Sequence, residues 1–285
     1  MLDQAKAEAQ PKSRATKPSL LLLIPAYNEE HRIEPVLRDY ARFFEQQYQG
    51  KFQMVVVLNG CRDNTLSVVR RVAAEHPAIS ALEFSEAIGK GGALIEGLKL
   101  APLADFIGYV DADGATPPHA FYELVSRLDE ADCVIGSRWL PGAVLHVEQT
   151  GKRQFASRCF HVIVELLFRL HIKDTQCGAK VMRRQAVETI YSTLRIADMA
   201  FDINLLYSLK RAGFRILEVP TEWTDKLGSK VTLVRTSVTM FLSAVRIWLI
   251  HSPRIYPWLR PLRPLEGWIY RKLSQPQPRP GPGRE

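Results

Sequence analysis

The chain has 285 residues, 46% hydrophobic and 24% charged, enough for one large α/β domain with an ample core and an appendage. Lys and Arg outnumber Asp and Glu by 38 to 30. The resulting +8 suits nucleic acid, an anionic membrane surface or phosphorylated substrates, or marks a soluble protein with a basic tail. Cys61, Cys133, Cys159 and Cys177 lie far apart with no CxxC, which argues against a zinc site or disulfide framework and fits a reducing compartment.

Residues 1–18 are polar and lack the apolar stretch of a signal peptide; they predict a disordered leader. "SLLLLIP" then forms a continuous apolar run, as expected of a strand buried on both faces. "EEHRIEPVLRDYARFFEQQY" places Ile33, Val36, Leu37, Tyr40 and Phe44 at helical spacing. "FQMVVVLNG" predicts a second strand, "NTLSVVRRVAAEH" a helix, "ISALEFS" a third strand, and "GKGGALIEGLKLA" a helix opened by glycines. "DFIGYVDAD" predicts a fourth strand, "PPHAFYELVSRLDE" a helix with proline in its first turn, and "DCVIGSR" a fifth strand. Such alternation predicts parallel βαβ units in a sheet covered on both faces. Ligands in such sheets bind at the carboxyl ends of the strands, and those ends carry "PAYNEE", "LNGCRDNT", "DADGAT" and "GSR". Beyond residue 140 the alternation weakens. A helix over "SRCFHVIVELLFRLH", a loop and short strand over "DTQCGAKVMRR", a helix over "FDINLLYSLKRAG" ended by Gly213 and a strand over "FRILEVPTEWTD" are expected.

Asp111 and Asp113 end the fourth strand, and a turn at Gly114 lets their carboxylates converge. Two carboxylates with phosphate oxygens and water suit Mg2+ or Mn2+; a solvated turn in which Asp caps the next helix is the other reading. Lys90 stands in "IGKGGAL", where glycines allow close backbone approach and a helix N-terminus favours an anion. The alternative there is a glycine-rich helix start with a surface lysine. Asn59 ends the second strand; its amide offers a donor and an acceptor to a base edge, or closes an Asx turn.

"IPAYNEE", "VLNGCRDNT", "GKGGAL", "DADGAT", "GSR", "DTQCGAK" and "FDINLLY…EVPTEWTDKLGSK", in that order, resemble a family 2 glycosyltransferase of the GT-A fold. Within that family the likeness is to polyprenyl-phosphate sugar transferases, the dolichyl-phosphate glucosyltransferases and mannose synthases, and covers about residues 19–235. The resemblance implies a mostly parallel α/β sheet flanked by helices, and inverting transfer of a hexose, glucose before mannose, from a UDP- or GDP-sugar to a polyprenyl phosphate. It further implies that Pro25, Tyr27 and Glu29 line the base and ribose, with Asn59, Lys90 and Ala112 also on the nucleotide-sugar side. Asp111 and Asp113 would hold the metal, while Arg138, Arg153 and Lys230 would receive the acceptor phosphate. The sequence departs from the family's pattern at Asn59 (commonly Asp), Ala87 (Asn), Ala115 (a third metal ligand in mannose synthases) and Asn204 (Glu).

A phosphate acceptor needs cations to place it, whereas a hydroxyl acceptor needs a general base; Asp202 is the candidate base for that alternative. In "VTLVRTSVTMFLSAVRIWLIH" a polar stripe of roughly 100° holds Arg235, Arg246, Thr239, Thr232, Ser243 and Thr236, opposite a wide apolar face including Phe241, Val245 and Trp248. That predicts a helix lying on a bilayer, or one packed on the catalytic domain or on a second copy. The expected organisation is a leader (1–18), a GT-A domain (19–230), amphipathic membrane-associating helices (231–273) and a disordered Pro/Gly-rich tail (274–285). The expected setting is peripheral, at the cytoplasmic face of a membrane, without nucleic acid and with a homo-oligomer left open. A sugar-nucleotide-binding module without catalysis is the rival from another class.

Overall fold

The computed structural model describes residues 17–146, 151–224 and 233–251, with the backbone alone at 151–157, 159, 233–238 and 250. Lys230, Thr232 and nearly all of the leader, the tail and the segment after His251 therefore lie outside the described residues, as do the side chains of Arg153, Arg235 and Thr236.

In chain order the elements are β1 (Leu20–Ala26), α1 (Ile33–Gln47), β2 (Phe52–Asn59), α2 (Thr65–Glu75), β3 (Ile79–Phe84), α3 (Gly89–Leu98), β4 (Phe106–Tyr109), α4 (Pro118–Ser126), β5 (Cys133–Ser137) and β6 (Val144–Leu145). They continue with α5 (Gly151–Phe168), β7 (Lys180–Arg183), α6 (Arg184–Ile190), α7 (Phe201–Arg211), β8 (Ile216–Pro220), β9 (Glu222–Trp223) and α8 (Leu233–His251). Among the described residues, seven strands form one sheet in the order β3-β2-β1-β4-β7-β5-β8, and β6 and β9 form a small parallel ribbon.

The runs of β1 and β2 are largely apolar because both of their faces are covered. In β1, Leu20, Leu22 and Ile24 enter one core while Leu21 and Leu23 enter the other; β2 divides Met54 and Val56 from Val55 and Val57 in the same way. This is the two-residue period of a strand set between two helical layers. The first layer holds α1, α2 and α4; the second holds α3, α5, α6, α7 and α8.

Two expectations change. The first helix begins at Ile33, not at Glu29, because the preceding loop is interlocked with the start of α2. The Glu29 N–H donates to Thr65 Oγ1 at 2.8 Å, and the Asn64 N–H donates to Glu30 Oε2 at 2.8 Å. Secondly, β5 does not follow β4 in a parallel succession. β7 lies between them, antiparallel to both, so residues 174–179 reach the edge where β4 and β5 end.

Of the arrangements expected for α8, packing on the α/β domain is the one seen along one of its sides. Ala244 and Ile247 are buried in the same core as α3, α5 and α7, and Trp248 packs against it. Ser243, from the polar stripe, is fully buried and donates to Asp198 Oδ2. Phe241 and Leu242 face outward. Ser243 therefore turns toward the protein together with Ala244 and Ile247, and Trp248 is only partly available to any other surface. Accordingly, Ile247→Ala is expected to lower the unfolding free energy by about 2–5 kcal/mol, and Phe241→Ser to change it by under about 0.5 kcal/mol, as read from denaturant midpoints.

Candidate active site

β4 is buried as far as Tyr109, and Val110 remains in the core, so the chain emerges only at Asp111. Gly114 (φ 69°) then turns it back, and the Ala115 N–H donates to Asp113 Oδ1 at 3.0 Å. The turn is held from below by the buried Tyr40 hydroxyl, which donates to the Thr116 carbonyl at 2.9 Å, and from the side by the Thr224 N–H on the Ala115 carbonyl. Ala112 is buried in the core, leaving its backbone alone to face a ligand.

Lys90 Nζ lies 2.5 Å from Asp111 Oδ1. Burial opposes the lysine charge, but Asp111 and Asp202 outweigh it and hold the ammonium above its usual range. Burial, and next the Asp111 charge, push the Asp113 carboxyl up. Two crowded carboxylates compensated by one ammonium form a hard-oxygen donor pair that fits a divalent cation. Among the described residues no set of three or more His, Cys, Asp or Glu converges as a metal site; a cation here would complete its shell with diphosphate oxygens and water.

The glycines of "GKGG" have a different local reason from the expected approach to phosphate. A Cβ on Gly91 would stand 2.5 Å from the Ile196 carbonyl oxygen, and one on Gly89 2.3 Å from that of Ala197. These glycines seat α3 against the 196–197 backbone, and the Gly92 N–H donates to the Ala197 carbonyl at 3.0 Å.

On the nucleotide side, Pro25 is half-buried and Tyr27 is 37% exposed. Glu29 pairs with Arg32 through bonds of 2.8 and 2.9 Å. Asn59 is buried, and its Oδ1 accepts the Ile88 N–H at 2.6 Å. That bond holds the turn leading to Lys90 and occupies one of the two lone pairs of the Asn59 amide oxygen.

On the opposite side Arg138 is gripped by Asp174. Its Nε and Nη2 donate to the two carboxylate oxygens at 2.7 and 2.9 Å, and its own N–H donates to Oδ2 at 2.9 Å. Trp223 places its ring 5.1 Å from the guanidinium carbon. Burial works against the Arg138 charge, but the pair keeps it fully protonated; it also pulls Asp174 below the usual carboxylate range despite burial. Such a bidentate pair fixes direction as well as charge. Glu222, next to Trp223, joins His119 and His146 at 2.8 Å each, tying the β6–β9 ribbon to α4.

Asp202 is 2% exposed. Its Oδ1 accepts Lys180 Nζ at 2.5 Å and the Tyr109 hydroxyl at 2.5 Å. The described site thus brings together Asp111, Asp113, Lys90 and Arg138 at one sheet edge, with Asp202 engaged beneath them.

Reading the sequence missed Asp174, Trp223, Lys180 and Gly178. A charged residue inside the apolar "AKVM" strand was a legible signal for Lys180, since an unpaired buried charge is costly. Asp174 and Gly178 lay in a recognised motif whose contacts are long-range.

Residues 22–191 match glycosyl transferase family 2. The chain is 34% identical over 239 residues to glycosyltransferase AglD of Haloferax volcanii, covering 82% of this chain but 38% of that longer protein. It is 31% identical over 240 residues to the dolichyl-phosphate beta-glucosyltransferase of Dictyostelium discoideum, covering 80% of this chain and 73% of that one. Among solved structures, glucosyl-3-phosphoglycerate synthase from Mycobacterium tuberculosis with Mn2+, UDP and glucosyl-3-phosphoglycerate superposes with a TM-score of 0.60 at 16% identity, over 83% of this chain and 82% of that one. That last likeness is one of fold.

A Cβ on Gly178 would stand 2.1 Å from Asp111 Oδ2. Gly178→Ala is therefore expected to displace the Asp111 carboxylate and to cut Mn2+-dependent nucleotide binding at least about tenfold, or about 1.4 kcal/mol. Calorimetry of Mn2+ with UDP or GDP checks this.

Proposed function

Because this chain belongs to glycosyl transferase family 2, we propose that it transfers a hexose, glucose in the first instance, from a UDP- or GDP-sugar to a polyprenyl phosphate with inversion. The carrying observation is the pairing of two unlike charge sites on one sheet edge. Asp111 and Asp113 form a carboxylate pair suited to a cation-bound diphosphate. Arg138, held charged and oriented by Asp174, is suited to an anionic acceptor. The names of the relatives support the same donor sugar and acceptor class.

Asp111 and Asp113 would hold Mg2+ or Mn2+. Once bound, such a cation relieves charge on the departing diphosphate by Lewis acidity. Lys90, beside Asp111, adds a positive charge on the donor side, and Asn59 keeps the turn before Lys90 in place. A phosphate monoester has its second pKa near about 6 and is largely dianionic at neutral pH, so it attacks without being deprotonated. Arg138 would orient it, joined by Arg153 and Lys230 from the flanking segments. This reading also agrees with Asp202, the carboxylate a hydroxyl acceptor would require as base, being engaged by Lys180 and Tyr109.

Among the described residues no helix is long and apolar enough to cross a membrane. We place the protein peripherally, at the cytoplasmic face, with the outward residues Phe241 and Leu242 of α8 and Val162 and Leu166 of α5 toward the bilayer. Each large side chain contributes up to about 1.5–3 kcal/mol when fully buried, and basic residues add attraction to anionic lipid.

The purified protein, incubated with Mn2+, radiolabelled UDP- and GDP-hexoses and polyprenyl phosphate, is expected to send label into the organic phase. Asp113→Asn should reduce that transfer at least about a thousandfold while leaving the melting temperature within a few degrees, and EDTA should abolish it until Mn2+ is restored. Transfer that ignores chelation, or label found only on a hydroxyl acceptor, would sink this reading.

Vesicle flotation addresses the membrane face. Phe241→Ser/Leu242→Ser is expected to shift the protein from anionic vesicles to the soluble fraction with its fold unchanged. A variant that floats as well as the unaltered chain would place the contact elsewhere.

A further inference from the structure

The fully buried Lys180 is a charged side chain that the proposed chemistry leaves unused. Its Nζ donates to the Cys177 carbonyl at 2.6 Å and to Asp202 Oδ1 at 2.5 Å, and the Tyr109 hydroxyl donates to that same oxygen. Tyr109 and Lys180 are partners in the antiparallel β4–β7 ladder. Two residues beyond this rung, past the end of β4 and before the start of β7, Asp111 and Gly178 meet so closely that a Cβ on Gly178 would overlap the Asp111 carboxylate. Asp202, at the first turn of α7, thus holds both members of the rung from which the Asp111–Gly178 contact projects. Lys180 also pins the carbonyl immediately before Gly178.

We infer that Lys180 and Asp202, with the Tyr109 hydroxyl, form a clamp that positions Asp111 through the Cys177–Gly178 backbone, and that Asp202 serves as a positioning residue and not as a general base. The inference rests on the proposed role of Asp111 as a cation ligand. A buried ion pair retained under a functional edge fits a role in geometry better than one in stability, because apolar replacement of such pairs is often tolerated while loss of one partner is not. The clamp spans only one ladder rung, so a small shift in it carries directly into the carboxylate.

Two variants and two readouts test it. Asp202→Asn retains an oxygen for Lys180 and Tyr109 but no basic carboxylate; because buried Lys180 loses its counter-charge, a lower denaturant midpoint is expected, and transfer is compared under conditions where the variant is folded. Lys180→Met/Asp202→Asn also removes the tether to Cys177 without stranding a charge. The readouts are transfer activity alongside Mn2+-dependent UDP or GDP affinity by calorimetry, and amide exchange of residues 176–179 in the unliganded protein. Asp202→Asn is expected to keep transfer within about tenfold of the unaltered protein, whereas loss of a general base costs roughly 10²–10⁴-fold. The double variant is expected to weaken Mn2+–nucleotide affinity at least about tenfold and to speed exchange at 176–179, with cooperative melting retained. The clamp is overturned if the double variant shows unchanged exchange, or faster exchange with unchanged affinity. A hundredfold or greater loss of transfer in Asp202→Asn with intact nucleotide affinity would restore the base. Should the double variant fail to fold, Lys180→Met alone, read by the same exchange and affinity measurements, tests the clamp, while Asp202→Asn tests the base. Absence of Mn2+-dependent nucleotide binding in the unaltered protein would overturn the functional reading, and the clamp's purpose with it, and is distinguishable because no substitution is involved.

Discussion

Two carboxylates at the end of a buried strand repel each other and lose hydration, and the architecture of this protein is arranged around that conflict. Lys90 meets Asp111 directly, while Asp113 remains crowded and half-shielded, with its carboxyl pushed upward by burial and by its neighbour. Elements from both helical layers converge to hold this unfavourable arrangement: Tyr40 of α1 beneath the turn, α3 carrying Lys90, and the 174–180 segment pressing Gly178 against Asp111. A pair of carboxylates only partly compensated by one ammonium suits the cation proposed for this site.

The antiparallel strand β7 links the two halves of the site. Its approach runs from Asp174, which grips Arg138, through Cys177 and Gly178 against Asp111, to Lys180 on Asp202. The cation proposed for the acceptor and the carboxylate proposed for the metal, which end different strands, are therefore both contacted by one short stretch of backbone. Transfer between two charged partners depends on their relative placement, and a single rigid segment spanning both sides is a direct means of setting it. The β6–β9 ribbon adds a second link, because Trp223 lies under Arg138 while Thr224 bonds the Asp113 turn.

The C-terminal helix shows how one amphipathic pattern supports opposite arrangements. Its small and polar residues allow close approach, and Ser243 finds a carboxylate partner in Asp198, so that side faces the protein. The bulky residues Phe241 and Leu242 are left outward. An apolar face turned away from the core is what a bilayer contact requires, and it arises here from packing by the other side of the helix.

The sequence by itself determined the layered α/β fold, because runs apolar on both faces alternating with helical periodicity admit few other arrangements. It also gathered the candidate site at one edge, since "DADGAT", "GKGGAL" and "GSR" all adjoin predicted strands or helix starts and strand ends share an edge. Most element positions were legible for the same local reasons: spacing, Pro118 at a helix start, and Gly213 after a helix end. Only the tertiary structure decided that β7 enters antiparallel between β4 and β5, that Asp174 belongs to Arg138, that Asn59 holds Ile88, and that Asp202 is bound to Lys180 and Tyr109. Each of these is a contact between residues far apart in the chain, or a choice of which neighbour satisfies a buried polar group. Periodicity records which side of an element is apolar; it does not record what that element meets. The partner is settled by how the whole chain closes its buried charges and hydrogen bonds.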